Sequence, residues 1–375
     1  MRKFIFVIIL AFIFAVSANA TENIQNDILS SIEPDLDKFE QTLPDYVRDV
    51  LPDSIFEGDL PSISTDFNQS TLLDYILNYL LSALPSVLKT FSSLLIIVLV
   101  ISIFNLFKSS LGSEGIKTAF SLCGSVCMSI AVYQTVESVS DMCIEYMSAL
   151  CITLTSFAPI MSVMHIMSGA IASAASSYTA MLLFLSIVEN FIVIALSPIV
   201  KICICFAIVS SIGGGCDLSG ISKTIKNTFT GICAFLLSVF SFVMSYQSVL
   251  TQGADSLSMR TARFAIGSFI PIVGGFVSES LKTITSSLSF IKSSCGVIAI
   301  IVILLMTLPV IISLLLSKLS FEIISGISRA LGCEQECKIT DEASTLCGFI
   351  LSIVSITCVV FIFALTIFIK SSVVT

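Results

Sequence analysis

Glu189 and Asn190 are the residues best placed for chemistry, because these adjacent polar side chains interrupt the apolar stretch from Ala180 to Val200. A carboxylate at the centre of a bilayer costs about 3 kcal/mol on insertion scales. Glu189 is therefore expected to face the interior of a helical bundle, to carry a proton or to find a polar partner. Two roles stay open for Glu189. It could make a hydrogen bond between helices that fixes assembly, or it could lie on an ion or proton pathway. Lys201 is the next cationic residue along the chain.

A second candidate site is the apolar segment at residues 264–278, which is too short to cross a bilayer. Gly267, Pro271, Gly274 and Gly275 interrupt it. Irregular backbone is tolerated at membrane depth only where protein or water satisfies its polar groups. The segment therefore predicts a re-entrant or interfacial hairpin, in which Pro271, Gly274 and Gly275 would line a pore.

The cysteines predict packing rather than metal chemistry, since most of the 13 lie inside apolar runs. Cys333 and Cys337 are the exception, because their C-x-x-x-C spacing falls in a polar stretch with Cys347 nearby. A disulfide or a metal site is the alternative role for these three thiols. His165 is the one histidine, and no paired C-x-x-C supplies zinc ligands, so we predict no bound metal.

The sequence contains no complete enzyme signature among those we looked for. Gly215 and Gly220 have the glycine spacing of a phosphate-binding loop, but Ile221 stands where the lysine belongs. Zinc-hydrolase and serine-hydrolase motifs are absent, and Glu145 could pair with Glu189 only if their helices adjoin. We therefore predict no catalytic residues and no cofactor, and any ATP hydrolysis must come from a partner.

The elements that position these residues are membrane helices. Hydrophobic residues make up 55% of the chain, charged residues only 12%, and the mean hydropathy is +1.03. The apolar residues fall into runs of about 20, the length of a helix that crosses a bilayer. We predict an all-α, polytopic transmembrane bundle of six or seven spans, and the absence of a basic face argues against nucleic-acid binding.

The N-terminal region is predicted to be exported. Residues 1–20 have the three parts of a secretory signal peptide, with cleavage after Ala20; the alternative is an uncleaved first membrane anchor. Residues 21–87 then form an acidic extracytoplasmic segment, whose last part, Thr71–Leu84, predicts an amphipathic helix on the outer surface. Pro85 is expected to separate this helix from the first span.

Residues 88–375 form the predicted transmembrane domain. Lys108 and Lys117 place the first short connection in the cytoplasm by the positive-inside rule, which agrees with an extracytoplasmic mature N-terminus. We expect a loop at Glu137 and Asp141 and a second amphipathic interfacial helix at Lys318–Leu331. The candidate spans are Phe91–Phe107, Ala119–Val136, Met142–Met167, Ala180–Val200, Phe229–Leu250, Cys295–Leu316 and Leu346–Ile369.

The run Ser168–Ser177 consists almost entirely of small residues. Small side chains let helix backbones approach closely in lipid, so the run predicts a helix-packing seam. The alternative is a broken helix that lines a cavity.

The order of these features resembles stage III sporulation protein AE of endospore-forming bacteria. The resemblance extends over nearly the whole chain. It is carried by Ser177-Tyr178-Thr179-Ala180, by Glu189-Asn190 in the following span, by Arg263-Phe264 and by the Gly267–Gly274 segment with its F-I-P-I-V-G sequence.

This resemblance implies a multi-pass protein of the mother-cell membrane around the forespore. It implies a sporulation-specific, secretion-like channel complex that links the two cells and supports forespore development. The implied partners are other stage III sporulation membrane proteins, a separate cytoplasmic ATPase and a forespore-side protein. A secondary transporter or permease with a midplane site around Glu189 is the alternative.

Overall fold

A computed structural model describes residues 34–51, 69–107, 114–212, 218–269 and 274–370, which are helical apart from short turns. No strand occurs in these ranges, and the predicted all-α class is confirmed. The helices are α1 (residues 34–42), α2 (Asp45–Arg48), α3 (Gln69–Phe107), α4 (Glu114–Met167), α5 (Ile171–Ile187), α6 (Ile194–Ile212), α7 (Ser219–Phe269), α8 (Gly274–Ala330) and α9 (Glu334–Lys370).

Six helical stretches in the described part of the chain are long and apolar enough to cross a membrane: Asp74–Phe107, Thr118–Met167, Ile171–Ile212, Ser219–Ser258, Cys295–Ala330 and Glu334–Ile369. The predicted multi-pass bundle is therefore confirmed, with six spans. The predicted signal peptide at residues 1–20, with its cleavage site after Ala20, lies outside the described residues.

The loop predicted at Glu137 and Asp141 is wrong, because both residues lie inside α4. This helix has 54 residues, which corresponds to about 80 Å at the usual rise per residue. No glycine or proline occurs between residues 125 and 158. The backbone hydrogen bonds therefore continue past the charges, and two predicted spans form one helix.

The break predicted at Pro85 is also wrong, since α3 runs through it. A proline removes one backbone donor, here the partner of the Leu81 carbonyl, and Leu81 lies on an exposed face of the helix. The predicted boundary between residues 87 and 88 thus falls within a continuous helix. The amphipathic helix predicted at Lys318–Leu331 is likewise not separate, because its residues up to Ala330 are the last turns of α8.

The core is built around the antiparallel pair α8 and α9, which make the most extensive helix contact in the described part of the chain. Helix α4 packs on both, and α3 lies along α8 and α4. Helices α5 and α6 pack on α4, whereas α6 and α7 pack on α9. Three helices meet at Phe184, whose ring stacks on Phe240 at 4.3 Å and meets the edge of Phe361 at 4.9 Å. Such ring pairs stabilise packing beyond their buried area.

Several helix ends converge on the turn between α8 and α9, where Gly332 adopts a φ of 72°. Ser121 and Ser125, near the start of α4, donate hydrogen bonds to the Gln335 side chain at 2.9 and 2.8 Å. Ser211, near the end of α6, donates to the Gln335 carbonyl at 2.8 Å. We call this part of the bundle the turn end.

Helix α1 packs against α4 far from the turn end, and α2 contacts α8. Phe39 lies 5.3 Å from Phe157 between ring centroids. Partial burial raises the pKa of Tyr46 to about 12, and its neighbours Tyr79 and Glu145 add to the rise. The described part of the acidic N-terminal segment therefore forms helices that pack on the bundle.

Gly296 of α8 lies against the side chain of Ile369 of α9. A Cβ built there would overlap the side chain of Ile369, whereas a Cβ at Gly326, on the same helix, meets nothing within 4 Å. We expect Gly296→Ala to destabilise the protein by about 1–3 kcal/mol through overpacking. Gly326→Ala is the matched control and should be neutral or stabilising by about 0.5–1 kcal/mol. Thermal unfolding of the purified variants in detergent tests this, and equal midpoints would contradict it.

Candidate functional site

Glu189 and Asn190 lie in a π-helical turn, Val188–Val193, which joins α5 to α6 without interruption. Both side chains are exposed. The Asn190 side-chain amide donates to the Ser186 carbonyl at 2.8 Å and to its hydroxyl at 3.2 Å. Glu189 makes no hydrogen bond or ion pair to any described residue, so the expectation that it faces the bundle interior is wrong. Single π turns are frequent at functional sites, which keeps Glu189 as a candidate on the outer surface.

Lys201 is not part of a site with Glu189. Its ammonium lies 3.2 Å from a carboxylate oxygen of Glu137 in α4, and Tyr133 donates to the same carboxylate at 3.3 Å. Lys201 and Glu189 are twelve residues apart on one helical path, or about 18 Å. The structure therefore does not bring Glu189, Asn190 and Lys201 together as a midplane site.

The predicted pore segment is described only at its edges. Residues 264–269 end α7, and Gly274 and Gly275 are the first residues of α8. Pro271 lies outside the described residues. The re-entrant hairpin and its role in a pore stay a prediction.

A cavity of about 450 Å³ with both polar and apolar lining residues lies between α3, α4 and α8. We call it the hydroxyl cleft, because most of its polar lining consists of hydroxyl groups. Its polar lining residues are Tyr79, Ser86, Thr90, Gln134, Thr135, Ser138, Ser313, Ser317 and Ser320.

An acidic groove of about 510 Å³ adjoins the cleft along α4. Glu137, Asp141 and Glu145 line it, spaced four residues apart and therefore on one face of the helix. The groove shares Gln134 and Ser138 with the cleft, so the two spaces are continuous. Neither lining includes a lysine or an arginine.

The hydroxyl cleft was missed in the sequence, although a signal was present. Ser313, Ser317 and Ser320 are spaced i, i+4 and i+7 where the apolar run that begins at Cys295 ends, which places them on one face of α8. Ser86 and Thr90 show the same spacing on α3. Finding the cleft also requires knowing that α3, α4 and α8 adjoin, which the contacts of the fold supply.

The small-residue run forms both a break and a packing seam. Gly169, with a φ of 82°, lies in the turn between α4 and α5. Asp255 of α7 is buried and accepts hydrogen bonds from the backbone N–H groups of Ala172 and Ser173, each at 2.9 Å. A carboxylate at a helix N-terminus satisfies free donors and complements the helix dipole. Asp255 thereby fixes the start of α5 on α7.

A buried ion pair links α7 to α9. The Lys226 ammonium lies 2.6 Å from the Glu342 carboxylate and 2.7 Å from the Thr345 hydroxyl, and Ser222 also donates to Glu342. The Lys226 and Glu342 side chains are only 8% and 14% exposed. The fold therefore supplies the hydroxyl of Thr345 to Lys226 and the hydroxyl of Ser222 to Glu342.

The three cysteines singled out in the sequence are free thiols, namely Cys333, Cys337 and Cys347. Cys337 lies 3.4 Å from the Ser325 hydroxyl and 3.6 Å from the Asp341 carboxylate. Within the described ranges, no group of three or more metal-ligating side chains occurs. The disulfide left open for these thiols is not formed in this structure.

Comparison with known proteins assigns this sequence to a family. The family model described as stage III sporulation protein AE matches residues 53–372. Stage III sporulation protein AE of Bacillus subtilis (strain 168) is 21% identical over 362 residues, which cover 94% of this chain and 90% of the relative. No solved structure matches the chain. Because the family model covers well over half of its length, this chain belongs to the stage III sporulation protein AE family.

Proposed function

We propose that this protein is a membrane component of a sporulation-specific, secretion-like channel complex that links the mother cell and the forespore and is required for forespore development. Family membership supports a role in sporulation. The observation that carries the proposal is the extent of the family match, residues 53–372, which includes all six candidate spans. The protein acts in this proposal through contacts within the membrane rather than as an enzyme.

The proposed location is the mother-cell membrane around the forespore, with the mature N-terminus outside the cytoplasm. Lys108, Lys117, Lys223 and Lys226 lie in or beside two connections between spans, which favours the cytoplasm for the turn end. Six crossings return the chain to its starting side. The end of α9 is therefore also extracytoplasmic in this proposal.

The proposed partners are other stage III sporulation membrane proteins, a separate cytoplasmic ATPase and a forespore-side protein. Ile221 stands where a phosphate-binding loop has its lysine, so any ATP hydrolysis that the complex needs is assigned to the separate ATPase in this proposal. A tagged copy expressed at its native level in a sporulating host should co-purify with such proteins, and deletion should arrest forespore development. Recovery without partners, combined with normal spore yield after deletion, would contradict the proposal.

Glu189 is the residue whose outward position bears most directly on assembly. A hydrogen bond to a charged group contributes about 1.5–3 kcal/mol, so we expect Glu189→Gln to lower recovery of partners by roughly tenfold or more. Spore yield should fall in parallel. Normal assembly with lost development would instead favour the permease alternative, for which the separation of Glu189 from Lys201 gives no support.

The matched control is Glu322→Gln on α8. Glu322 is also exposed, but its carboxylate already has a partner in the chain, the Lys318 ammonium at 3.6 Å. We expect this variant to assemble and sporulate normally. If Glu189→Gln behaves like the control in both assays, Glu189 has no role in assembly or transport.

A further inference from the structure

We infer that the hydroxyl cleft and the acidic groove form one water-filled vestibule that attracts small hydrated cations. This inference goes beyond the proposed channel complex, because it concerns this chain alone and holds whether or not the complex exists. Four properties of the described residues carry it: depth, volume, the orientation of hydroxyl groups and charge.

The cleft lies along a stretch of α8, Cys295–Ala330, that is long and apolar enough to cross a bilayer. Ser320 is ten residues and Ser313 seventeen residues before Ala330, the last residue of α8, or about 15 Å and 26 Å along the helix. Leu315 and Leu319 lie between these two serines in the chain, and their side chains are exposed on the outside of the chain. At this level, α8 therefore has an apolar outer face and a hydroxyl-bearing inner face.

The volume of the cleft suits water. At about 30 Å³ for each liquid water, the cavity of about 450 Å³ has room for on the order of fifteen molecules. Polar groups without solvent are costly in a low-dielectric region, whereas dry cavities are characteristically apolar. Nine of the fifteen side chains that line the cavity are polar, and we expect water to bind along this polar side.

Three of the eight hydroxyl groups that line the cleft present acceptor oxygens. Thr90, Thr135 and Ser320 donate their protons to backbone carbonyls four residues earlier, at 3.2, 2.9 and 2.9 Å. Each oxygen keeps its lone pairs for another ligand. Tyr79 and Ser313 pair with each other at 3.1 Å, which joins α3 to α8 at the wall of the cleft. Acceptor oxygens favour water and cations over anions.

The charged residues around the cleft also favour cations over anions. The Lys201 ammonium offsets the negative charge of Glu137. Asp141 and Glu145 have no ion pair with any described residue. Lys318, next to Ser317 in the chain, is directed to Glu322 and towards Gly348 of α9. A cleft of one charge sign between low-dielectric walls concentrates counterions, which here are cations.

Cysteine labelling tests the vestibule. Ser313→Cys, Ser317→Cys and Ser320→Cys are introduced singly into the full-length protein, with Ser replacing the exposed Cys123, Cys127 and Cys205 and also Cys216. Membranes are treated with two impermeant thiosulfonate reagents of similar size, one bearing a quaternary ammonium and the other a sulfonate. We expect the cleft cysteines to react, and the ammonium reagent to be favoured roughly tenfold after correction for its rate with a free thiol.

Two sets of controls decide the result. Leu304→Cys and Leu315→Cys, on the outer face of the same helix, should not react, because no water reaches them. Asp141→Asn combined with Glu145→Gln should leave the labelling but abolish the preference for the ammonium reagent. Absence of reaction at all three cleft positions, equal reaction at the leucine positions, or equal rates with both reagents would each overturn the vestibule. Spore yield plays no part in this readout, so its failure is separate from a failure of the proposed function.

Discussion

Replacing Lys226 by Met should destabilise the folded protein by about 3–5 kcal/mol, because it leaves the buried Glu342 carboxylate without its countercharge. The Thr345 hydroxyl loses the donor Lys226 but still donates to the Glu342 carbonyl. The midpoint of thermal unfolding of the purified protein in detergent measures the effect. The amount of protein recovered from membranes should fall with it.

The controls separate burial from charge. Lys201→Met removes a lysine whose ion pair with Glu137 is far more exposed, with side chains 48% and 35% accessible, and should cost at most about 1 kcal/mol. Replacing both Lys226 and Glu342 by Met should be less damaging than Lys226→Met alone, since no unpaired charge stays buried. If Lys226→Met and Lys201→Met unfold together, the pair does not stabilise the contact between α7 and α9.

Replacing Asp255 by Ala should cost about 2–4 kcal/mol, which is the second large effect. The carboxylate accepts two backbone hydrogen bonds at the start of α5. Loss of a helix cap costs about 0.5–2 kcal/mol, and loss of a buried negative charge at a helix N-terminus adds up to about 2 kcal/mol. Asp255→Asn should cost about half as much, because its amide oxygen can still accept one of them. Thermal unfolding gives the magnitude, and protease cleavage within residues 168–170 reports local opening.

The matched control is Asp141→Ala, because Asp141 is an exposed aspartate with no hydrogen bond to a described residue. It should change stability by no more than about 0.5 kcal/mol. Unfolding of Asp255→Ala at the parental midpoint, with unchanged cleavage near Gly169, would show that the start of α5 is held by packing alone.

Hydropathy predicted the membrane class and the all-α fold but not the lengths of the helices. It detects the part of a helix that lipid covers, whereas helical hydrogen bonds are satisfied within the segment in any solvent. Helix α4 therefore continues past Glu137 and Asp141, and α3 continues through Pro85. A single proline or charged residue that a helix tolerates therefore looks like a helix boundary in a hydropathy profile.

The candidate site was predictable only in part, for a related reason. The cost of a charge in hydrocarbon identified Glu189, but its direction depends on how the π turn packs on neighbouring helices. The partner of Lys201 proved to be Glu137, on another helix, and no local pattern reports such a pairing. The serine spacing on α8 was visible in the sequence, yet the cleft exists only where three helices adjoin.

The turn end has a consequence for how the protein is made. Ser121 and Gln335 are 214 positions apart, so a helix that enters the membrane early bonds to a turn that the ribosome delivers 214 residues later. Ser125 and Ser211 bond to the same residue. These contacts at the turn end therefore form only after Gln335 has been synthesised, and a chain truncated before Gln335 would present unpaired hydroxyl groups to the cell's quality-control proteases.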